Sequence, residues 1–581
     1  MEPLHVVNQV APREYVNFTL CFPFEDHKEQ EAVNHLQRCV DDCIQQNPHL
    51  AGTIREQNTP QHNTLAYAPP KREPQREAGA VIVEKLRPSG FWTGHGNGTK
   101  SSFTYDELRA GGFSPGLFFD RVFVPVGDPA AVDGGGVPVM RVHAIFVSGG
   151  LLLGVFIHHA MADGAVATAL IDDLAARSRG ETALPRGGLL PKSQYLPLGR
   201  PSAEFEQRVR FLRETSRLGN EEIMAEMLPE WTTKDPNRGA RFSIENCLPA
   251  NPSPRVGKIF HFSKAKLAKL SRALAQQEPK GGGSNKPPST NVALMALIWA
   301  YVAKARMRAV GVEDWSALLA KGRKKMNDDS SSEGGRENKG MTAQLTIVAA
   351  WNPSSSPKTQ GGGRGSGFGQ ETLDALENFC GNAAKCPIAA LPTTRLLWQG
   401  AAEATAKANS IGTTASTTTT NTARNEMGTP RGEEEDGERL EALAEIAALI
   451  TRTLDSLDAE FVRRRAALLE TLPDITAVAM NHDFEAPQNV LFNSHRFLAG
   501  ADTVWDIPGL LLADNGGGRG TRRKPESIRK GRTVWGQGTV LVMPSSRESD
   551  VLEVMLAMSG TAMDGLCGDG GWRGWVERVV D

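Results

Sequence analysis

Residues Met140 to Leu174, MRVHAIFVSGGLLLGVFIHHAMADGAVATALIDDL, decide how this chain is read. Met140, Val142, Ala144 and Phe146 alternate along a predicted strand, Ser148-Gly149-Gly150 supplies turn residues, and Leu151 to Ile157 returns as an apolar second strand. After Gly164, the residues Val166, Leu170 and Leu174 recur at i, i+4 and i+8, so they share one face of a predicted helix. His158 and His159 therefore close a strand and precede a helix.

The same alternation of element types extends to both sides. Tyr15 to Phe22 has strand composition, Val33, Leu36, Val40 and Ile44 follow at helical spacing until Pro48, and Leu50 to Ile54 comes next. In the second half Val256 to Phe262 reads as a strand. Ser263 is placed to cap a helix through Leu267 and Leu270, and Ser289 to cap another containing Ala293, Leu297 and Trp299. Leu440, Leu443, Ile446 and Ile450 mark a further helix, whose start carries the acidic run Glu433 to Asp436. The expected class is α/β.

With 581 residues, two-fifths of them apolar, the chain can bury more than one core. Two domains are expected, 1–230 and 231–581. Polar stretches rich in Gly, Ser or Thr at 280–288, 321–340, 353–370, 404–437 and 514–523 read as disordered surface insertions, too poor in apolar residues to offset the entropy of ordering. A net charge of -2 gives no general attraction for nucleic acid or an anionic membrane. Neither a secretory leader nor a membrane span is read, because the apolar runs are far shorter than the ~20 residues of a spanning helix. The expected location is cytoplasmic. Seven cysteines scattered from Cys21 to Cys567 read as reduced thiols. Cys380 and Cys386 lack the second Cys or His pair that zinc requires, and no metal is assigned.

The chemistry concentrates at His158-His159-Ala160-Met161-Ala162-Asp163-Gly164. Adjacent residues at a strand end point to opposite faces, so one histidine can face a cleft while the other packs. An imidazole titrates near neutral pH and can take a proton from a hydroxyl or amine that attacks a carbonyl. Asp163 reads as fixing the loop, and Gly164 as permitting a tight turn into the helix. A second reading puts Asp163 on the imidazole, as in a Ser-His-Asp triad, but the chain has no Gly-x-Ser-x-Gly. A metal reading lacks the third ligand that a His-Glu-x-x-His segment would offer.

This His-His-x-x-x-Asp-Gly pattern resembles that of the BAHD acyltransferase superfamily, in particular its fungal branch related to trichothecene 3-O-acetyltransferase. Condensation domains of nonribosomal peptide synthetases share it. Asn47-Pro48-His49-Leu50-Ala51-Gly52 resembles the family's early Pro-x-Leu-Ala-Gly segment, and Phe379-Cys380-Gly381-Asn382 its Phe/Tyr-x-Gly-Asn element. Trp505-Asp506-Ile507-Pro508-Gly509 stands in place of Asp-Phe-Gly-x-Gly, with Ile507 and Pro508 replacing Phe and Gly. Lys524 to Arg529 follows in the expected order. Asn493-Ser494-His495-Arg496 stands where the family has Ser/Thr-Ser-Trp.

The resemblance implies two chloramphenicol acetyltransferase-like α/β domains with a tunnel between them. It implies His159 as general base, with Asp163 and Asp506 as the family's motif carboxylates, Asp506 pairing with a basic residue away from the imidazole. Ser494 and His495 become candidates for holding the oxyanion, and His158, Gly164 and Gly509 shape the motifs. An acyl-CoA, acetyl-CoA by default, would be the co-substrate, with no bound cofactor. A small hydroxylated metabolite would accept the acyl group, and the protein would act as a monomer. The alternatives are a condensation or cyclisation enzyme using the same histidine, and a noncatalytic protein that keeps the tunnel for binding.

Overall fold

The apolar hairpin forms as its pattern requires. In a computed structural model of the chain, Met140–Val147 and Gly150–His158 pair antiparallel, and Gly150–His158 pairs on its other side with Tyr15–Pro23. The structure describes residues 2–57, 61–70, 83–86, 104–115, 118, 136–181, 198–216, 218–233, 255–277, 287–311, 342–350, 384–396, 431–475, 477–498, 500–511, 523–530 and 536–581. The Phe379–Asn382 element and most of the Gly-, Ser- and Thr-rich stretches lie outside these residues. Residues 431–437 do not: they open the helix Arg431–Asp455, so the acidic run sits within its first turns, where the helix dipole favours it.

Two sheets carry the architecture. The first has five strands in the order Ser527–Arg529, Tyr15–Pro23, Gly150–His158, Met140–Val147, Val83–Leu86. The second has eight strands, with Thr342–Ala350, Val490–Ser494 and Thr539–Val542 adjacent and parallel at its centre, followed by Val551–Met558 and Val256–Ser263. Every strand of Tyr15–Pro23 and Gly150–His158 is buried along its whole length, which is why both read as continuous apolar runs instead of clean alternation.

Helices cover the sheets. Glu29–Gln46 and Gly164–Ser178 pack on each other over the first sheet, and Leu36, Val40, Leu170 and Leu174 join its core. Thr290–Ala309 lies between the second sheet and the helices Lys264–Gln277, Arg431–Asp455 and Gly560–Gly568. Neighbours on every side explain why this helix is apolar all round. Ser263 and Ser289 cap their helices as expected, accepting from Lys266 and Val292 backbone N–H at 3.3 and 3.2 Å.

The sheets do not divide cleanly at residue 230. Ser527–Arg529, far along the chain, is the edge strand beside Tyr15–Pro23, and Trp505, Ile507, Leu510 and Ile528 complete the core of the first sheet. Trp231–Thr233 pairs with Val478–Met480. The C-terminal half thus sends two stretches, 505–511 and 527–529, back into the N-terminal layer.

Candidate active site

Gly150–His158 ends at the two histidines, and the backbone holds the exit. His158 N–H donates to Val139 O, and His159 N–H donates to Glu14 O, both at 2.8 Å. His158 is 2% exposed, stacks edge-on with Tyr15 at 5.8 Å, and accepts the Ala160 N–H on Nδ1 at 3.2 Å. His159 remains partly exposed. The opposed directions expected of neighbouring residues separate a packed imidazole from an available one.

Both imidazoles are held neutral. Burial pushes His158 down to about 3, helped by the nearby charges of His159 and Arg13. Burial pushes His159 down to about 4, with the Lys530 ammonium acting in the same direction and main-chain hydrogen bonds at His159 and Ala162 opposing it. At neutral pH His159 is therefore a proton acceptor.

Asp163 caps the helix Gly164–Ser178: its Oδ1 accepts from Ala165 and Val166 N–H at 2.9 and 3.0 Å. That satisfies two of the orphan donors of a helix start and fixes the loop, as read from the sequence. Gly164 has a different reason from the expected turn. Its φ is not positive, but a Cβ there would lie 2.4 Å from Leu498 Cδ1. The missing side chain makes room for the neighbouring segment.

That neighbour is the end of Val490–Ser494 and the turn after it. Ser494 lies opposite Val542, His495 N–H donates to Val542 O at 2.8 Å, and Leu498 N–H closes the turn on His495 O at 2.9 Å. The His495 ring is 6% exposed and meets Phe18 edge-on at 5.4 Å. Its Nδ1 is buried with no hydrogen-bond partner among the described residues. Burial, then Lys530 and His159, push its protonation well below the usual histidine range. The structure thus brings His159, Asp163, Gly164 and His495 to the junction of the two sheets, with Ser494 one residue away along the strand.

Asp506 is not brought there. Its backbone N–H donates to Ser178 Oγ at 3.0 Å, at the opposite end of the helix that Asp163 caps, about 22 Å away for 15 residues. Its exposed carboxylate pairs with Arg523, away from His159. Gly509, at φ +90°, lies where a Cβ would come within 2.7 Å of the Phe24 ring. It shapes the same segment. Glu14, whose carbonyl accepts the His159 N–H, and Lys530, whose charge acts on His159, went unread in the sequence. Among the described thiols, Cys21, Cys39 and Cys43 are buried, and burial raises Cys21 to about 12 and Cys39 to about 11. Among the described residues no cluster of three or more His, Cys, Asp or Glu is arranged to hold a metal, and no helix is long and apolar enough to cross a membrane.

Residues 15–177 match the family model of the trichothecene 3-O-acetyltransferase-like N-terminal domain, and residues 129–334 match that of the Transferase family. The two matches together span residues 15–334. Eremophilane O-acetyltransferase ORF8 of Penicillium roqueforti is 24% identical over 318 residues, covering 52% of this chain. The match spans 60% of that protein's own length. The O-acetyltransferase ptmV of Penicillium ochrochloron is 28% identical over 194 residues, 32% of this chain and 34% of that protein. The fold is that of TRI101 of F. graminearum, solved with coenzyme A and T-2 mycotoxin. Its TM-score is 0.63 at 15% identity, over 100% of this chain and 99% of that one. The two-domain α/β class expected from the sequence is therefore observed.

Proposed function

We propose that the chain is an acyl-CoA-dependent O-acyltransferase, in the first place an acetyltransferase, acting on a small secondary-metabolite alcohol. The observation that carries this reading is the junction itself: a neutral, partly exposed His159 beside the buried His495, in a chain whose residues 15–177 and 129–334 match the two family models. The names of its relatives, O-acetyltransferases, support the acyl group and the kind of acceptor.

In the reaction, acyl-CoA and acceptor occupy the site together, entering a tunnel between the two sheet layers. The acceptor hydroxyl gives its proton to His159 as its oxygen attacks the thioester carbonyl. Negative charge collects on the carbonyl oxygen, where a donor at Ser494 or His495 offsets it. The intermediate then collapses, the C–S bond breaks, and the imidazolium returns its proton to the departing thiolate. No acyl-enzyme forms, because both reactants are held in one complex. The free enzyme is a cytoplasmic monomer on this reading.

The test is free-thiol release from acetyl-CoA with a panel of hydroxylated metabolites, with products identified by mass. Acetylated product from the wild type, absent with His159→Ala, is the expected result. Product formed from a carrier-tethered donor but never from acyl-CoA would transfer the reading to condensation chemistry, and binding without product to a noncatalytic role.

A further inference from the structure

The candidate base His159 sits in a turn whose successive N–H groups, from His158 to Met161, all have acceptors, and one of those acceptors is a side chain. His158 N–H donates to Val139 O, His159 N–H to Glu14 O and Met161 N–H to His158 O, each at 2.8 Å. The last of these closes a β-turn over 158–161, with His159 and Ala160 as its central residues. Ala160 N–H goes instead to Nδ1 of the His158 ring, at 3.2 Å. A side-chain acceptor two residues before its donor is the pattern of the Asx turn. Nδ1 of a histidine lies as many bonds from Cα as Oδ1 of an asparagine, so the imidazole makes the same closure.

The ring that does this is held in place. It is 2% exposed and meets Tyr15 edge-on at 5.8 Å. The Tyr15 hydroxyl donates to Pro138 O at 2.7 Å, next to the Val139 carbonyl that accepts the His158 N–H. Burial keeps the ring neutral, at about 3, and a neutral imidazole that accepts on Nδ1 carries its proton on Nε2. The His159 ring in turn hydrogen-bonds main-chain groups at His159 and Ala162, within the turn and directly after it. The direction of the His159 imidazole is therefore tied to the shape of the backbone over 158–162.

We propose that His158 is a positioning residue: its Nδ1, by accepting the Ala160 N–H, holds the 158–161 turn in the shape that aims the His159 imidazole. Its weight in turnover rests on the proposed role of His159 as base, while its hold on the turn does not. Two amides separate this role from packing. His158→Asn keeps an acceptor at the δ position in a smaller side chain. His158→Gln fills more of the ring's volume but moves its acceptor to the ε position. Packing alone favours the glutamine variant, and the turn favours the asparagine variant.

The test measures kcat and KM for thiol release in both variants of the full chain and solves the crystal structure of each. His158→Gln is expected to lose about 10²-fold in kcat, the loss that an ångström of misplacement brings. Its KM for acetyl-CoA stays within about twofold, because binding of the donor is untouched. His158→Asn is expected to keep most of the wild-type kcat although it leaves the larger void. The structures should show Ala160 N–H on the new Oδ1 and an unmoved His159 ring in His158→Asn, and an opened turn with a swung ring in His158→Gln. Should His158→Gln not fold, His158→Leu is read in its place. Equal kcat in the two variants, a larger kcat in the glutamine variant, or an unmoved His159 ring there overturns the proposal. Absence of thiol release in the wild type with every acceptor would instead count against the acyltransferase reading, and the crystal structures would still decide the role of His158.

Discussion

The helix Gly164–Ser178 has a motif aspartate at each end, and the two ends differ in kind. At the N-terminus Asp163 is 5% exposed and spends its Oδ1 on two backbone N–H groups, next to the imidazole of His159. At the C-terminus Asp506 is held by its backbone N–H, while its carboxylate, 59% exposed, pairs with Arg523 in solvent. A carboxylate in a motif therefore has no chemical role until its surroundings are known. Buried, it organises backbone and is expensive to remove. Exposed, it is screened and holds little.

Turnover gives the largest separation between the ends. His159→Ala is expected to lose about 10²–10⁴ in kcat, the range of general-base removal, while Asp506→Asn keeps thiol release within about twofold. Comparable losses in the two variants would break the comparison. Stability comes next. Asp163→Ala removes the cap and strands buried donors, at a cost of about 2 kcal/mol in urea unfolding, and Asp163→Asn recovers most of it.

The pH dependence of folding sharpens the electrostatics at the N-terminal end. His158 and His159 titrate near 3 and 4 in the folded protein, mainly through burial, against about 6.5 in an unfolded chain. Below about pH 6.5 the unfolded state binds protons that the native state does not, so stability falls as pH drops towards 4. Each imidazole contributes a slope of at most about 1.4 kcal/mol per pH unit. His158→Gln should flatten the slope by one such contribution, and an unchanged slope would show that its burial does not govern the titration. The smallest effect belongs to Asp506→Ala, expected to cost under about 1 kcal/mol, as exposed ion pairs do. A larger loss in urea unfolding would assign that end a burden its exposure does not suggest.

Much of this was legible in the sequence because it is local. Tyr15–Pro23, Met140–Val147, Gly150–His158 and Gly164–Ser178 follow from apolar periodicity and turn residues, and the caps at Ser263 and Ser289 from residue type and position. The reason for Gly164 was not legible, since Leu498 is more than 300 positions away in the chain and meets it only in the folded state. The same holds for Lys530, which follows a three-residue strand too short for its pairing partner to be read from pattern.

The sequence by itself determined the element types, the helix starts and the identity of one candidate base, because hydrogen-bonding geometry and side-chain alternation act over a few residues. Only the tertiary structure decided which imidazole packs and which stays available. It alone decided that His495 faces the same junction and that Asp506 is kept a helix length away. Those outcomes depend on strand register and on burial, and both are set by contacts between segments hundreds of residues apart.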